Sequence, residues 1–143
     1  MKAATLYQPW ATLIAIGAKR IETRSWPTKY RGPLAIHASK RWPGFGKLIL
    51  IRQPFRSVLL PLGFHDPEAH ALGAVVAICD LEACFKIDQG PLLISDQEKA
   101  FGDYTPGRYV WLLDKVRELK HPIPAKGALG LWDWTPSQDL EFK

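Results

Sequence analysis

The chain has 143 residues, 47% hydrophobic and 23% charged, enough apolar material to fill one domain-sized core without disulfides or a structural metal. No run of 18 or more apolar residues is present, which excludes a membrane-spanning helix, and the start Met1-Lys2-Ala3-Ala4-Thr5 lacks the apolar stretch of a secretory signal. The net charge of +5 conceals an asymmetry. The first 60 residues carry eleven Lys and Arg against one acid, Glu22, whereas the other 83 carry eight basic and thirteen acidic side chains, so the surface built by the first half suits an anionic partner.

In chain order, Gln8 to Gly17 has a proline near its start and a glycine at its end, which predicts a short buried helix of about three turns. From Arg20 to Trp26 the period changes to two, predicting a strand whose polar face holds Glu22, Arg24 and Trp26 before Pro27 ends it. Pro33 to Ser39 is a second strand, entered through a turn at Gly32. Residues 45–60 are expected to be helical, broken near Pro54, with basic polar positions. Gly63 to His70 reads as a loop, and Gly73 to Ile87 as the longest strand, with Val75, Ala77, Cys79, Leu81, Ala83 and Phe85 on one face. A short helix follows at Asp96 to Phe101, with Ser95 as N-cap and Glu98 completing a capping box. Turn chemistry from Gly102 to Gly107 leads into a strand from Arg108 to Leu119; Pro122 and Pro124 then carry the chain to a closing strand from Gly127 to Trp134. Strands dominate and short helices sit between them. The expectation is one α+β domain spanning residues 1–143, built around a small, mostly antiparallel β-barrel.

Cys79 and Cys84 lie five apart on one expected strand, so they should point to opposite faces and stay unpaired. Without a nearby histidine they make a poor zinc site, and reduced thiols suit a cytoplasmic protein. His65, His70 and His121 fall in or beside loops at spacings that match no metal signature, so neither metal nor other cofactor is implied.

The densest polar constellation is Gly17-Ala18-Lys19-Arg20-Ile21-Glu22-Thr23-Arg24-Ser25-Trp26. A carboxylate between cations and beside an indole suits a planar polar ligand, with hydrogen bonds to its edge and a ring on its face. The same pattern also suits a surface ion-pair ladder. Lys19 reaches the Glu22 side only if the turn after Gly17 breaks the alternation. His37, on the next strand, has two readings, a phosphate or proton-transfer contact and a satisfied strand residue. Lys29, Arg31, Lys40, Arg41, Lys47, Arg52 and Arg56 could follow a nucleic-acid backbone or form a solvated basic face. Trp26 and Trp42 are interleaved with these cations in a way that suits bases and phosphates. Trp10 and Trp111 read as core, and Trp132 and Trp134 share one face of the closing strand.

Gln8-Pro9-Trp10-Ala11, the GxKxxExR motif from Gly17 to Arg24, Tyr30-Arg31-Gly32-Pro33-Leu34 with the following Ile36-His37-Ala38-Ser39, and Gly130-Leu131-Trp132-Asp133-Trp134 together resemble the ASCH domain, a family of the PUA-like superfamily. The likeness runs from about Leu6 to Trp134. It implies a small β-barrel with flanking helices and a cleft at one end, lined by Lys19, Glu22 and Arg24. PUA-like domains generally bind RNA, and ASCH members have been proposed as RNA or DNA binders. Some small bacterial members are amidohydrolases that remove the acetyl group from N4-acetylcytidine, and nuclease activity has been ascribed to others. In the acetylcytidine hydrolases a lysine stands at the position of Lys19, a threonine nucleophile at that of Glu22, and the third catalytic residue is a later glutamate, for which Glu98 is the candidate here. Glutamate in place of the hydroxyl departs from that mechanism, and Thr23 should face the other way along the strand.

The resulting expectation is a nucleic-acid-binding domain that recognises RNA or a modified nucleoside between Lys19, Glu22 and Arg24, with Trp26 as an aromatic wall. The alternatives are a hydrolase of RNA or acylated nucleosides using Lys19 and Glu22 in the same cleft, and a module whose basic face meets an acidic protein.

Overall fold

Two long strands carry the fold. β4 (Ala74–Lys86) and β5 (Tyr109–Pro124) pair antiparallel along most of their length, and four shorter strands complete one sheet: β1 (Lys2–Leu6), β2 (Ile21–Arg24), β3 (Gly32–Ala38) and β6 (Leu131–Asp133). In this computed structural model, which describes residues 1–90 and 93–143, the sheet order is β2-β5-β4-β3-β1-β6. Every pairing is antiparallel except β1 with β3, which run parallel from Lys2 opposite Leu34 to Leu6 opposite Ala38. The fold is thus the expected α+β class, a mixed sheet curled into a half-barrel with short helices α1 (Trp10–Ala15), α2 (Gly46–Ile49), α3 (Phe55–Leu59) and α4 (Asp96–Phe101).

The curl has a local cause. Register shifts interrupt the β4–β5 ladder at Val75/Ala77, Ile78/Asp80 and Leu81/Ala83, and the β3–β4 ladder at Ile36/His37. Each such bulge bends the strand and increases its twist. It also resets the two-residue alternation. Val75 and Ile78 face one core cluster while Ala77, Cys79 and Leu81 face another, so the single apolar face expected for this strand is really two buried faces. Cys79 and Cys84, expected on opposite faces, both pack against the same cluster, because the shift after Leu81 changes the parity between them. Both thiols are free, and burial pushes that of Cys79 up to about 12.

On one face of the sheet, Ala11, Ile14 and Ala15 of α1 pack on Leu34, Ile36 and Leu81. Leu13, on the opposite side of α1, meets Leu50, Phe55 and Leu59 from the α2–α3 region and Phe101 of α4. Helix α1 is therefore buried nearly all round, as its largely apolar sequence requires, with Thr12 its one polar residue. It is shorter than the expected three turns: at Gly17 the backbone turns left-handed, with φ of +82°, a conformation that glycine takes without strain and that ends helices. On the other face, Ala3, Ala35, Leu119 and Trp134 are covered by Leu140 and Phe142 of the C-terminal segment.

Other boundaries moved for physical reasons. The break near Pro54 is present, with α2 before it and Pro54 itself as the residue preceding α3. The expected loop from Gly63 to His70 contains a short 3-10 turn at Pro67–Ala69, capped by the Asp66 carboxylate, which accepts from the Glu68 N–H at 2.9 Å. β5 continues through Pro122 and Pro124. β2 covers only residues 109–112 of β5, so the prolines lie where β5 has an open edge and needs no donor on that side. The closing strand shrinks to Leu131–Asp133, which leaves 125–130 as a loop.

A buried polar network ties this loop-rich side to α1. Gln8 accepts from the Thr12 N–H at 3.0 Å and donates to the Ala71 carbonyl at 2.9 Å, while the His70 imidazole spans the Thr12 hydroxyl at 2.8 Å and the Phe64 carbonyl at 2.8 Å. Burial lowers the His70 pKa from its ordinary 6.5, against the opposing pull of the Phe64 carbonyl and Asp66; burial lowers that of His37 as well. Between the depressed folded value and 6.5 the unfolded chain binds more protons, so stability falls as pH drops through that window. Denaturant unfolding at pH 7.5 and pH 5 should therefore show lower stability at the acidic pH, and a His70→Asn variant should show a smaller difference between the two.

Candidate functional site

A cleft of about 1070 Å³ opens beside β2, between the α2–α3 region, the 100–108 segment and the 125–130 loop. β2 positions its first polar walls. Ile21 and Thr23 are buried at 5% and 6% exposure, so alternation turns Glu22 and Arg24 outward into the cleft. The Arg24 guanidinium donates to the Thr5 carbonyl at 3.1 Å and to Glu22 at 3.4 Å. These two contacts fix a carboxylate and a guanidinium side by side at the base of the cleft.

Lys19 lies behind this pair. The left-handed turn at Gly17 directs the Ala18 and Lys19 N–H groups to the Leu13 carbonyl and takes Lys19 off the strand alternation. Its ammonium is wholly buried, donates to the Ile21 carbonyl, and stands 4.0 Å from Glu22. Burial lowers its pKa, opposed by Glu22 and Glu98. Glu98 comes from α4, where Ser95 caps the helix by accepting from the Glu98 N–H at 3.1 Å. The other arm of the expected capping box is diverted: the buried Glu98 carboxylate accepts from the Arg20 and Ile21 N–H groups at 3.2 and 3.0 Å. Lys19, Glu22 and Glu98 thus gather from segments 76 or more residues apart in part, with the Tyr104 hydroxyl near them. Burial raises the Tyr104 pKa, with Glu98 and Glu22 adding to the effect.

His37 lines the cleft, and both its ring nitrogens are engaged. Burial favours the neutral ring, in which Nε2–H donates to the Ala125 carbonyl at 2.7 Å and Nδ1 accepts from the Thr5 hydroxyl at 3.1 Å. Trp132 Nε1–H donates to the same hydroxyl at 3.1 Å. This chain of bonds seats the 125–130 loop on the sheet. Gly127 completes the seat, because a Cβ there would come within 2.7 Å of His37 Cε1 and Thr5 Oγ1.

Trp26, expected as an aromatic wall, is placed elsewhere. It follows the end of β2, meets Trp111 edge to face at 4.9 Å, and packs against the core outside the cleft lining. The rings in the lining are Tyr7, Trp10, Phe45, Phe55 and Phe101, with Tyr7 and Phe45 more than half exposed. Trp10 is fixed by donating from Nε1 to the Phe101 carbonyl at 2.7 Å. Of the basic residues singled out in the sequence, Lys40 and Arg52 line the cleft; Lys29, Arg31, Arg41, Lys47 and Arg56 are exposed outside its lining.

Arg108 and Lys126 line the cleft too, and sequence reasoning missed both. Arg108 directly follows the Gly102–Gly107 turn and Lys126 sits before Gly127, so each was adjacent to a visible turn signal, yet only long-range contacts bring them to this site: the pairing of β5 with β2 for Arg108, and the bonds of Ala125 to His37 and Gly73 for Lys126. Arg108 donates to the Thr23 carbonyl at 3.0 Å and lies 3.6 Å from Asp103, whose other oxygen accepts from Thr105. Five cations, Arg24, Lys40, Arg52, Arg108 and Lys126, therefore face two carboxylates, Glu22 and Asp103, across a cleft floored by aromatic rings. Such a surface attracts anions and offers ring faces for stacking. Among the described residues, no group of three or more His, Cys, Asp or Glu side chains is arranged to hold a metal ion.

The sequence model of the ASCH domain matches residues 5–122. Activating signal cointegrator 1 of Mus musculus and that of Homo sapiens are each 27% identical over 128 residues, or 90% of this chain, which spans only 21% of the length of either. The crystal structure of ASCH from Zymomonas mobilis superposes with a TM-score of 0.48 at 16% identity, covering 86% of this chain and 72% of that one. A variant of the same protein gives 0.47 over 86% and 74%. With the family pattern matched over most of its length, the chain belongs to the ASCH domain family.

Proposed function

We propose that the domain binds nucleic acid, with RNA or a modified nucleoside as the ligand held in this cleft. The observation that supports the reading best is the union of five cations with exposed rings around a single carboxylate and guanidinium pair. The cations attract the phosphodiester backbone without reading sequence. Tyr7 and Phe45 offer faces on which an unpaired base stacks. Glu22 Oε1 accepts from the Thr23 N–H at 3.1 Å and Oε2 meets Arg24, which leaves acceptor capacity for a base's exocyclic amine, while Arg24 retains N–H groups for a base carbonyl oxygen. Lys19 acts from behind, by positioning the Glu22 carboxylate at 4.0 Å rather than by touching the ligand. Free thiols suit a reducing compartment such as the cytoplasm; no helix among the described residues is long and apolar enough to cross a membrane.

A second reading, hydrolysis of RNA or acylated nucleosides, draws on the same carboxylate. Glu22 would take a proton from a water and Arg24 would stabilise the developing oxyanion. Its supporting observation is the buried lysine beside Glu22, at 4.0 Å, in the position the acetylcytidine hydrolases use. Binding is favoured over turnover because the Lys19 ammonium is engaged by the Ile21 carbonyl and does not line the cleft. A basic face for an acidic protein is the third reading, which leaves the rings of the cleft without a role.

Three measurements separate these readings. Arg24→Ala should weaken RNA binding across sequences by about tenfold or more, the usual scale for losing a charged hydrogen bond; unchanged affinity removes Arg24 from the site. In a salt series on single-stranded RNA, log affinity should fall linearly with log salt at a slope near −0.7 per phosphate contacted. Reversing Lys40 and Arg52 should flatten that slope more than reversing Lys29 and Arg31. Incubation with acylated nucleosides and short RNAs should give equal background turnover for the native protein and Glu22→Ala; turnover lost only in the variant would make the domain an enzyme.

A further inference from the structure

Two buried side-chain polar atoms among the described residues have no hydrogen-bond partner, the Tyr104 hydroxyl and Arg108 Nε. Both belong to the segment that joins α4 to β5 along one side of the cleft. Buried donors are almost always paired, so an orphan on a cleft-lining arginine calls for an explanation. Arg108 Nη2 is fixed by the Thr23 carbonyl at 3.0 Å, which holds the guanidinium in place. Asp103 covers Nε without satisfying it: Oδ2 stands 3.6 Å away, beyond hydrogen-bond reach, because Thr105 holds the other carboxylate oxygen through its N–H at 3.0 Å and its hydroxyl at 2.5 Å. Arg24, the other arginine of this wall, differs in being already paired with Glu22. The cleft guanidinium with a buried donor left unpartnered is therefore that of Arg108.

We propose that Arg108 is the phosphate-receiving residue of the cleft, and that the ligand is accordingly a phosphorylated nucleotide, free or within a strand, rather than a bare nucleoside. This rests on the reading that the cleft binds nucleic acid. A phosphate presents oxygens in a plane that matches the guanidinium fork, and the Thr23 carbonyl pre-sets the fork so that little side-chain freedom is lost on binding. Asp103 occupies the approach and gives way to the incoming anion. It is 58% exposed at the side chain, so Oδ2 can turn toward water while Oδ1 stays bonded to Thr105, and its pairing with Arg108 contributes little at the surface. Glu22 bars a phosphate from the Arg24 end by like-charge repulsion, which sets the ligand's direction: base toward Glu22, phosphate toward Arg108.

The test measures affinities of the intact protein for the four ribonucleosides, their 5′-monophosphates and a five-nucleotide single-stranded RNA. The best monophosphate should bind about tenfold more tightly than its nucleoside, the scale of a charge-assisted hydrogen bond. Arg108→Gln should collapse that ratio toward one, Arg108→Lys should restore part of it, and Asp103→Asn should widen it. Asp96→Asn, a charge change on α4 outside the cleft lining, should leave it unaltered. Thermal unfolding of each variant checks that the fold survives; if Arg108→Gln unfolds, the ratios for Arg108→Lys and Asp103→Asn decide. Equal binding of nucleoside and monophosphate, or a ratio indifferent to both Arg108 and Asp103, overturns the assignment while leaving the cleft reading intact. If the native protein binds none of these ligands, the cleft reading falls and the assignment falls with it.

Discussion

A lysine ammonium with no access to water governs how this fold and its cleft are joined. Removing a charge from water costs several kcal/mol unless the protein returns equivalent interactions. Lys19 recovers them from the Ile21 carbonyl at close range, from Glu22 at 4.0 Å, and from the field of Glu98. The last of these is supplied by a helix far along the chain. By accepting from the Arg20 and Ile21 N–H groups, Glu98 also anchors α4 to the start of β2. That contact places the Gly102–Arg108 segment beside Glu22, so the cation buried under the motif indirectly sets the adjoining part of the cleft wall.

Local chemistry was legible wherever a short stretch decides its own conformation. Gly17 ending α1, Ser95 capping α4, the break at Pro54 and the outward face of β2 all follow from residues within a turn or two. Failures came where a ladder with a distant strand overrides the local pattern. The alternation along β4 reads as one apolar face, yet three register shifts against β5 bury both. Pro122 and Pro124 read as strand breakers, yet β5 passes through them because its edge is open there. Trp26 has the right parity to join Glu22 and Arg24, but β2 ends at Arg24 and the ring turns onto Trp111. Glu98 shows the mixed case: its neighbours announce the cap, while its carboxylate serves a partner 77 residues away.

Charge along the chain is likewise not charge in space. The first sixty residues hold all of the excess positive charge, but five of the seven basic residues proposed as a backbone track lie outside the cleft lining. The acidic second half returns two cations, Arg108 and Lys126, to the cleft through β5 and the loop after it. Seating that loop requires the Trp132, Thr5 and His37 chain of hydrogen bonds and the missing Cβ at Gly127. His37 is thereby more a fastening than a free imidazole.

The single acid of the basic half has a clearer purpose once its neighbours are known. A cleft lined only by cations attracts any polyanion and orients none. A fixed carboxylate at one end changes the outcome for each part of a nucleotide: it repels phosphate, and it accepts from an exocyclic amine that a cation would refuse. Discrimination built from a repulsive element as well as an attractive one is the more effective kind. Arg24 at 3.4 Å and Lys19 at 4.0 Å flank that carboxylate and hold it in position. On the proposed reading the buried lysine, whose ammonium is outside the cleft lining, acts through the carboxylate it holds in place.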